Sequence, residues 1–483
     1  MMLESYQPAT GEVVGKYPVF DEAAVQATVE AARQAATKWA AKGFNGRKEH
    51  LKAWKHLLVR RIDELAKLMQ EETGKPLDDA RLECVVAIDH LGWATKNAEK
   101  VLGPRRVPSG LIGIDFAAAV EYQPIGVVGV IGPWNYPVLT PMGSIGYALA
   151  AGNAVVFKPS EYSTGVGVWL VDTFAEVSEE PVLQVVTGYA ETGAALCKAN
   201  VGKISFTGST ATAKKVMAAC AETLTPVLIE AGGKDAAIVA ADADLDKAAD
   251  AVAFGAFGNA GQTCVGIERA YVEASVYDAF VDKVSELAGR ITAGVEIGPI
   301  TMPSQVPVIQ RHIEDALARG GRAVVGGVGS VRAPYVEPVV LVGVPEDSEA
   351  VQEETFGPTL TITKVDDLDE AVAKANGSRY GLGSAVFSRS RRTAYQVARR
   401  LRSGMTSINS VQSFAVIPSL PFGGTGDSGF GRIHGPDGLK EFTRPKAIAR
   451  RRFTAPVTTL SFSRTPKDIA KTLKTLSFLH GRR

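Results

Sequence analysis

Short apolar runs separated by glycine-containing turns begin at about residue 120 and restrict the possible folds of this chain most strongly. Stretches of helix length, 141–151 and 163–178, lie between these runs. Strands that alternate with helices predict a parallel, doubly wound α/β sheet, and such sheets bind ligands at the carboxyl ends of their strands. The predicted strands are 126–131, 154–157, 182–186, 204–206 and 227–229.

A second alternation of strands and helices runs from residue 236 to about 422 and includes predicted helices at 276–288 and 310–319. A chain of 483 residues is long for a single core, so this pattern indicates a second α/β domain. The chain before the first sheet is mostly helical, and its helical spacing of apolar residues predicts helices over 21–40 and 47–72.

Charge and cysteine content limit which partners the chain can attract and which cellular compartment suits it. Fifty-three Lys plus Arg stand against 52 Asp plus Glu, a formal charge of +1, so no global field attracts nucleic acid. The four cysteines are widely spaced and form no C-x-x-C pair, which fits a reducing compartment. The first 14 residues contain two glutamates and no apolar run, so we expect no secretory signal there and a cytoplasmic location.

A cysteine follows one predicted helix. Gly-Gln-Thr-Cys, ending at Cys264, comes after a helical stretch over 245–257, in a loop of small residues where a thiol is accessible. A thiolate is a strong nucleophile. By composition alone, however, a lone cysteine is more often a small buried apolar residue, so this role depends on the neighbouring segments.

Two predicted strands end in polar side chains. Glu230 closes the strand over 227–229 ahead of two glycines, and Asn135 follows the strand over 126–131. Glu230 is a candidate base, with a helix cap or a solvated strand end as the alternative. Asn135 is a candidate oxyanion donor, with an Asx turn before Pro137 as the alternative.

Two further strand ends favour a nucleotide. Lys158, followed by Glu161, ends one strand and offers a cation and an acid to the hydroxyls of a ribose. The segment 206–210, Phe-Thr-Gly-Ser-Thr, ends another strand at a helix start, where backbone amides hold phosphate oxygens. Neither segment is a G-x-G-x-x-G fingerprint.

From Tyr6 to Phe453 the chain resembles the aldehyde dehydrogenase superfamily. Its motifs occur in the family's order: 133–135 (PWN), 158–161 (KPSE), 206–210 (FTGST), 230–234 (EAGGK), 261–264 (GQTC), 353–358 (EETFGP) and 421–424 (PFGG).

The resemblance implies an NAD-dependent oxidation of an aldehyde to the acid, with NADP as a possible second cofactor. Cys264 would be the nucleophile that forms a thioester, Glu230 the general base that hydrolyses it, and Asn135 the side-chain donor of the oxyanion hole.

The same resemblance implies a cofactor site. Lys158 and Glu161 would hold the adenosine ribose, and the Glu161 carboxylate would disfavour a 2′-phosphate. Gly208 and Ser209 would hold the pyrophosphate. Glu354 and Phe356 would hold the nicotinamide end. The remaining expected cofactor residues are Ile131, Gly132, Pro133, Trp134, Ser160, Gly188, Phe206, Thr207, Thr212 and Gly232.

By resemblance, the fold is a Rossmann-like cofactor-binding domain, a second α/β catalytic domain and a small β element for oligomerisation. We expect the cofactor domain at 1–229, with 110–123 contributing to the oligomerisation element, and the catalytic domain at 230–425. We expect 426–453 to be the oligomerisation segment of a homodimer or tetramer.

Three positions depart from the family pattern. Ala213 stands where a glycine is usual, which affects the helix start near the pyrophosphate. Ile433 stands where Glu commonly follows Gly-Arg, so that acid is absent. The region after Pro299 is shorter by several residues.

Residues 454–483 form a basic extension beyond the common pattern. Ile469, Leu473, Leu476 and Leu479 recur at helical spacing, with lysines between them, so we expect an amphipathic helix. Contact with a membrane surface is one role for it. Packing on a neighbouring subunit, or exposure to solvent, is the favoured interpretation.

Two alternatives to hydrolytic oxidation remain. One is transfer of the thioester to coenzyme A, which needs no general base. The other is a non-catalytic binding protein, which would not be expected to keep both Cys264 and Glu230. The pocket-lining candidates Tyr136, Met142, Val265 and Phe414 are mainly apolar and favour aliphatic or aromatic aldehydes.

Overall fold

A computed structural model describes residues 1–455, 457 and 459–481 of the chain. It confirms the α/β class, because two separate sheets of mainly parallel strands are each covered by helices. None of the helices in these residues is long and apolar enough to span a bilayer.

The helices of the described residues are numbered in chain order. They are α1 (Glu22–Ala41), α2 (Gly43–Arg60), α3 (Ile62–Thr73), α4 (Leu77–Leu102), α5 (Leu139–Ala151), α6 (Thr164–Ala175), α7 (Ala190–Lys198), α8 (Thr210–Ala221), α9 (Leu245–Phe257), α10 (Tyr277–Ala288), α11 (Val306–Ala318), α12 (Glu349–Gln352), α13 (Leu368–Ala375), α14 (Arg391–Ala398), α15 (Ser413–Val416), α16 (Gly435–Glu441) and α17 (Pro466–His480).

The strands are numbered in the same way. They are β1 (Met2–Tyr6), β2 (Val13–Pro18), β3 (Arg105–Val107), β4 (Phe116–Pro124), β5 (Val127–Ile131), β6 (Ala154–Lys158), β7 (Leu183–Val185), β8 (Lys203–Gly208), β9 (Val227–Ala231), β10 (Asp235–Val239), β11 (Ile267–Glu273), β12 (Arg322–Val325), β13 (Val331–Arg332), β14 (Tyr335–Val336), β15 (Val339–Val342), β16 (Thr359–Val365), β17 (Ser384–Phe387), β18 (Ser407–Ile408), β19 (Gly429–Phe430) and β20 (Thr443–Arg451).

The first sheet has the strand order β19-β9-β8-β5-β6-β7, in which all neighbours are parallel except β19. The chain runs outward from β5 through β6 to β7, then returns to β8 beside β5 and continues outward to β9. The order therefore reverses between β5 and β8. In doubly wound sheets a ligand crevice lies at the carboxyl ends of the strands at such a reversal.

The second sheet has the order β12-β15-β16-β11-β10-β17-β18 and is parallel except for β12. Its core strands, such as β10 and β15, are buried throughout and consist mainly of Ala, Val and Ile. Continuous apolar runs of this kind are expected where helices cover both faces of a sheet. The structure therefore confirms the second alternation that the sequence predicts.

A third, antiparallel sheet has the order β20-β4-β3. Of the expected oligomerisation segment 426–453, only β20 joins this sheet. β19 instead pairs with β9 of the first sheet. Helix α16 packs on α4 and α5, and its Leu439 is fully buried in the apolar core around that sheet. Within that segment, only residues 443–451 form a strand of the third sheet.

The N-terminal helices differ from the prediction at one point. The predicted helix over 47–72 is two helices, α2 and α3, which meet at Arg61, where the backbone leaves the helical region (φ −112°, ψ 23°). The break lets each helix direct its own apolar face into the core. Helix α2 buries Leu51 and Trp54, and helix α3 buries Leu65 and Met69. The sequence analysis assigned no element to the 26-residue α4.

The predicted C-terminal helix is present as α17. A capping box starts it, in which the Thr465 hydroxyl accepts from the Asp468 amide and the Asp468 carboxylate accepts from the Thr465 amide. Its apolar side chains Ile469, Leu473 and Leu476 are exposed. Pro456, Thr458, Arg482 and Arg483 of the predicted basic extension lie outside the described residues.

Candidate active site

The loop that carries Cys264 is fixed by unusual backbone geometry. Helix α9 ends at Phe257, and Asn259 and Ala260 then both adopt left-handed conformations (φ 53° and 55°). Gly261 follows with φ 70°, and a Cβ atom there would lie 2.0 Å from the main-chain oxygen of Gly357. Only glycine fits, because this peptide is pressed against a neighbouring segment. Cys264 emerges from this turn partly exposed.

Cys264 opens into a cavity of about 320 Å³. Tyr136 and Val265 line this cavity, as predicted. The prediction that Met142 and Phe414 line it is wrong, because neither is among the residues that line the cavity. Met142 is 1% exposed and Phe414 4% exposed, and both pack in the apolar core around the first sheet.

Glu230 lies beside Cys264 at the end of β9. It is 2% exposed, and neither carboxylate oxygen has a hydrogen-bond partner among the described residues. Burial raises the pKa of Glu230 to about 7, while the nearby Cys264 thiol and Thr207 hydroxyl oppose that rise. A carboxylate with free lone pairs and a pKa near neutrality is suited to general base chemistry.

The Cys264 thiol is held protonated in this arrangement. Burial raises its pKa well above the usual value, and the neighbouring Glu230 carboxylate raises it further. The thiol must therefore lose its proton before sulfur can attack a carbonyl. The other cysteines, Cys84, Cys197 and Cys220, are buried and not bonded to one another.

Asn135 is brought to the Cys264 loop by hydrogen bonds. Its Nδ2 donates to the main-chain oxygen of Gln262 at 3.0 Å, and Asn259 Nδ2 donates to the main-chain oxygen of Asn135 at 3.2 Å. An amide nitrogen carries two protons, so one remains to donate elsewhere. The structure thus brings Cys264, Glu230 and Asn135 together.

A buried ion pair behind Asn135 was missed by the sequence analysis. Lys75 Nζ pairs with the Glu83 carboxylate and donates to the main-chain oxygen of Asn135 at 2.9 Å. Glu83 also accepts from the Val138 and Leu139 amides. The available sequence signal was the Thr-Gly-Lys-Pro segment at 73–76, directly after the helix predicted over 47–72.

The predicted ribose residues follow β6 as expected. Lys158 ends the strand and is 5% exposed, and its Nζ lies 3.6 Å from the Glu161 carboxylate, whose side chain is 37% exposed. Burial lowers the pKa of Lys158, and the Glu161 charge opposes this. Ser160 lies between them and is buried. Gly188, three residues after β7, has φ 151°, so a side chain there would be strained.

The predicted pyrophosphate residues form the start of α8. β8 ends in Phe206, Thr207 and Gly208, and Ser209 caps the helix by accepting from the Thr212 amide. A helix start presents free amide groups and the positive end of a dipole to an anion. Ala213, in place of the family's usual glycine, is buried in the first turns without interrupting α8.

Phe356, one of the two predicted nicotinamide residues, lies against the loop after β5. Trp134 follows Ile131, Gly132 and Pro133 at the end of β5, and its ring meets Phe356 edge-on at 5.5 Å.

Glu354, from the segment before β16, accepts from the Gly233 amide at 3.0 Å, and burial raises its pKa to about 8. A Cβ atom at Gly232 would overlap the Glu354 carboxylate at 2.1 Å. The aromatic pair, the start of α8 and the pair Lys158 and Glu161 lie along one sheet edge, an arrangement that fits a dinucleotide.

The described residues contain no cluster of three or more His, Cys, Asp or Glu side chains that would hold a metal ion.

Comparisons with known proteins identify the family that this chain resembles. A family model described as aldehyde dehydrogenase family matches residues 1–448. A 4,4'-diapolycopene aldehyde oxidase of Methylomonas sp is 36% identical over 450 residues, 92% of this chain and 84% of that protein. A glutarate-semialdehyde dehydrogenase of Pseudomonas putida is 36% identical over 454 residues, 91% of this chain and 92% of that protein.

The fold is also similar to a solved structure. The crystal structure of an NAD-dependent aldehyde dehydrogenase from Sinorhizobium meliloti superposes with a TM-score of 0.90 at 33% identity. It covers 95% of this chain and 93% of that one.

Proposed function

The chain belongs to the aldehyde dehydrogenase family, and we propose that it oxidises its aldehyde through a thioester on Cys264 that Glu230 hydrolyses. NAD, which Lys158, Glu161 and the start of α8 would hold, would take up the hydride when bound, and NADP is the alternative cofactor. The observation that carries the assignment concerns Glu230, whose carboxylate is buried and has no hydrogen-bond partner among the described residues. It lies beside Cys264, the one cysteine of those residues that is partly exposed.

Acylation begins at Cys264. Loss of the thiol proton to water gives the thiolate, which attacks the aldehyde carbon and forms a tetrahedral oxyanion. The free N–H of the Asn135 amide and the Cys264 backbone N–H are the donors for that oxygen. Because the hydrogen bond to Gln262 fixes the amide, the donor is preorganised, and such preorganisation is the main source of oxyanion stabilisation.

Deacylation uses Glu230. Its carboxylate takes a proton from water, the resulting hydroxide attacks the thioester carbon, and the carbon–sulfur bond breaks to give the acid and the Cys264 thiol. The carboxylate oxygens have no competing partner in the described residues, which leaves them free to accept this proton. Transfer to coenzyme A would need no such base, so Glu230 favours water as the acyl acceptor.

A cofactor preference follows from Glu161. Its partly exposed carboxylate lies beside Lys158, where it accepts hydrogen bonds from ribose hydroxyls and repels a 2′-phosphate. We therefore propose that NAD is preferred over NADP.

Domain roles and self-association are part of the same proposal. Residues 1–229 hold the cofactor, and 230–425 supply the nucleophile. All nine residues of β20 lie on the outer edge of the third sheet and nearly all are exposed, so their unpaired backbone groups favour pairing with a second copy of the chain. The extension after β20 then packs on that neighbouring subunit in preference to a membrane. Free, unbridged cysteines support a cytoplasmic location.

A direct assay tests the function. The protein is incubated with NAD and a panel of aldehydes, with and without coenzyme A, while the absorbance of the reduced cofactor is followed. The Cys264→Ala variant should lose turnover and still bind NAD, whereas Cys84→Ala, at a buried thiol outside the site, serves as the matched control. Retained turnover in Cys264→Ala contradicts the mechanism, and a strict need for coenzyme A contradicts hydrolysis.

A further inference from the structure

The cavity in front of Cys264 has an apolar wall and an apolar mouth. Deep in the cavity, Val265, Phe422 and Ile433 are 5%, 7% and 3% exposed. Leu139 and Val411 continue the wall outward. The substrate beyond its aldehyde group therefore meets mainly aliphatic and aromatic side chains.

Three large apolar side chains surround the mouth while facing solvent. Leu82 of α4, Phe254 of α9 and Val416 of α15 are 56%, 58% and 53% exposed, and all three line the cavity. Single exposed apolar residues are ordinary, but three from separate helices at one opening extend the apolar surface of the cavity outward. A substrate chain longer than the cavity would still bury apolar area against them.

The charged side chains of the cavity do not suit a second carboxylate. The one ammonium among the described lining residues is Lys75, which is already paired with Glu83 and bonded to the Asn135 main chain. Glu83 and Asp79 supply two carboxylates to the same wall. A substrate carboxylate here would lose its hydration and gain no free cation, which is strongly unfavourable.

We propose, building on the proposed function, that this cavity selects aldehydes with an apolar chain and discriminates against aldehydes that carry a second carboxylate. The apolar wall binds the chain, the mouth residues extend that contact, and the occupied Lys75 leaves a terminal carboxylate without a partner. Burial of each added methylene contributes about fourfold to kcat/KM until the chain passes the mouth.

Substrate pairs of equal carbon number isolate the effect of charge. Pentanal and glutarate semialdehyde differ in one terminal carboxylate, as do butanal and succinate semialdehyde. The expected result, measured as kcat/KM with NAD, is a preference of at least about tenfold for the uncharged member of each pair. An equal or higher value for the semialdehydes overturns the inference and leaves the proposed function intact. Failure of every aldehyde with both NAD and NADP instead refutes the proposed function.

Variants separate the contribution of the mouth from that of charge. Leu82→Ser and Phe254→Ser should each lower the ratio of kcat/KM for decanal to that for propanal by about fivefold. Val59→Ser is the matched control, because Val59 is similarly exposed (52%) on α2 outside the cavity lining. Val86→Arg adds a free cation to the lining and should narrow the gap between pentanal and glutarate semialdehyde. Unchanged ratios in all three cavity variants would overturn the inference.

Discussion

The Lys75 ammonium donates to the main-chain oxygen of Asn135 at 2.9 Å from within its buried ion pair with Glu83. One lysine from the loop before α4 therefore holds the backbone of the oxyanion donor. The ring of Tyr136, the next residue, lies 3.9 Å from the same Nζ. Both contacts of Lys75 thus support the chain at Asn135 and Tyr136.

Lys75→Met should impair both catalysis and folding. We expect kcat to fall by about tenfold to about a hundredfold, since Asn135 loses its support, with a smaller change in KM. The free energy of unfolding should fall by about 3 to 5 kcal/mol, because Glu83 is left buried and unpaired. Urea unfolding and steady-state kinetics measure the two effects. The exposed pair Lys52 and Glu49 provides the control, and Lys52→Met should cost less than about 1 kcal/mol.

The deacylation rate should depend on the protonation of Glu230. Only the ionised carboxylate accepts a proton, so thioester hydrolysis should rise with pH through the Glu230 pKa of about 7 and level off above it. Glu230→Gln should remove this inflection and give a burst of reduced cofactor followed by slow turnover. Stopped-flow absorbance over pH 5.5 to 9 tests this, with the exposed Glu222→Gln as control. A variant without a burst, although folded, would contradict the assigned role.

The cofactor-free Cys264 thiol should alkylate slowly near neutral pH. Burial and the adjacent Glu230 raise its pKa, so the thiolate fraction, and with it the iodoacetamide rate, should still be rising above pH 9. Glu230→Gln removes a negative charge and should accelerate labelling at pH 8. Mass spectrometry of tryptic peptides identifies the labelled residue. A wild-type rate at pH 7 equal to that of free cysteine would contradict the protonated resting state.

Stability should fall in mild acid because of two buried histidines whose rings lie close together. The buried rings of His90 and His434 have centroids 3.8 Å apart. Burial lowers the pKa of His90 from 6.5 to about 4 and holds the pKa of His434 well below its usual value. Below pH 6.5 the unfolded chain therefore binds more protons. The loss due to His90 grows from pH 6.5 to about 4 and reaches about 3 kcal/mol.

His90→Gln tests this interpretation, because glutamine keeps a donor for the Ala415 main-chain oxygen and does not titrate. Unfolding midpoints at pH 8 provide the internal reference, and the variant should lose less stability than the wild type on acidification to pH 5. Parallel curves for the two proteins would refute the role of His90.

Glu161→Gln should relax the cofactor preference. Without its charge a 2′-phosphate is no longer repelled, so the ratio of kcat/KM for NADP to that for NAD should rise by about tenfold. Steady-state kinetics with each cofactor at a fixed aldehyde concentration measure this. Glu30→Gln, an exposed carboxylate on α1, should leave the ratio unchanged.

Local patterns accounted for much of the fold. The five predicted strands of the first sheet match β5 to β9 closely, and the helix over 245–257 matches α9, because apolar runs and glycine boundaries are local signals. The break at Arg61 was not predicted, since both halves of that stretch have helical spacing and only their packing on different neighbours separates them. Pairing of β19 with β9 brings together residues about 200 positions apart, which no local signal encodes.

The candidate site shows the same division. Cys264, Glu230 and Asn135 could be named because each ends a strand or follows a helix at the sheet edge. Lys75 could not, because its role depends on a contact 60 residues away in sequence. Met142 and Phe414 were misplaced for a related reason: tertiary packing alone decides whether an apolar residue near a motif reaches the cavity, as Val265 does, or stays within the core.

The left-handed turn at Asn259 and Ala260, closed by Gly261, limits how this enzyme can be redesigned. Side chains larger than hydrogen at 261 would collide with Gly357, and β-branched residues are poorly tolerated at the two positions before it. Engineering for a new aldehyde therefore has to leave the segment that delivers sulfur unchanged. The adaptable positions are those at the opening, where a side chain can be exchanged without moving any backbone.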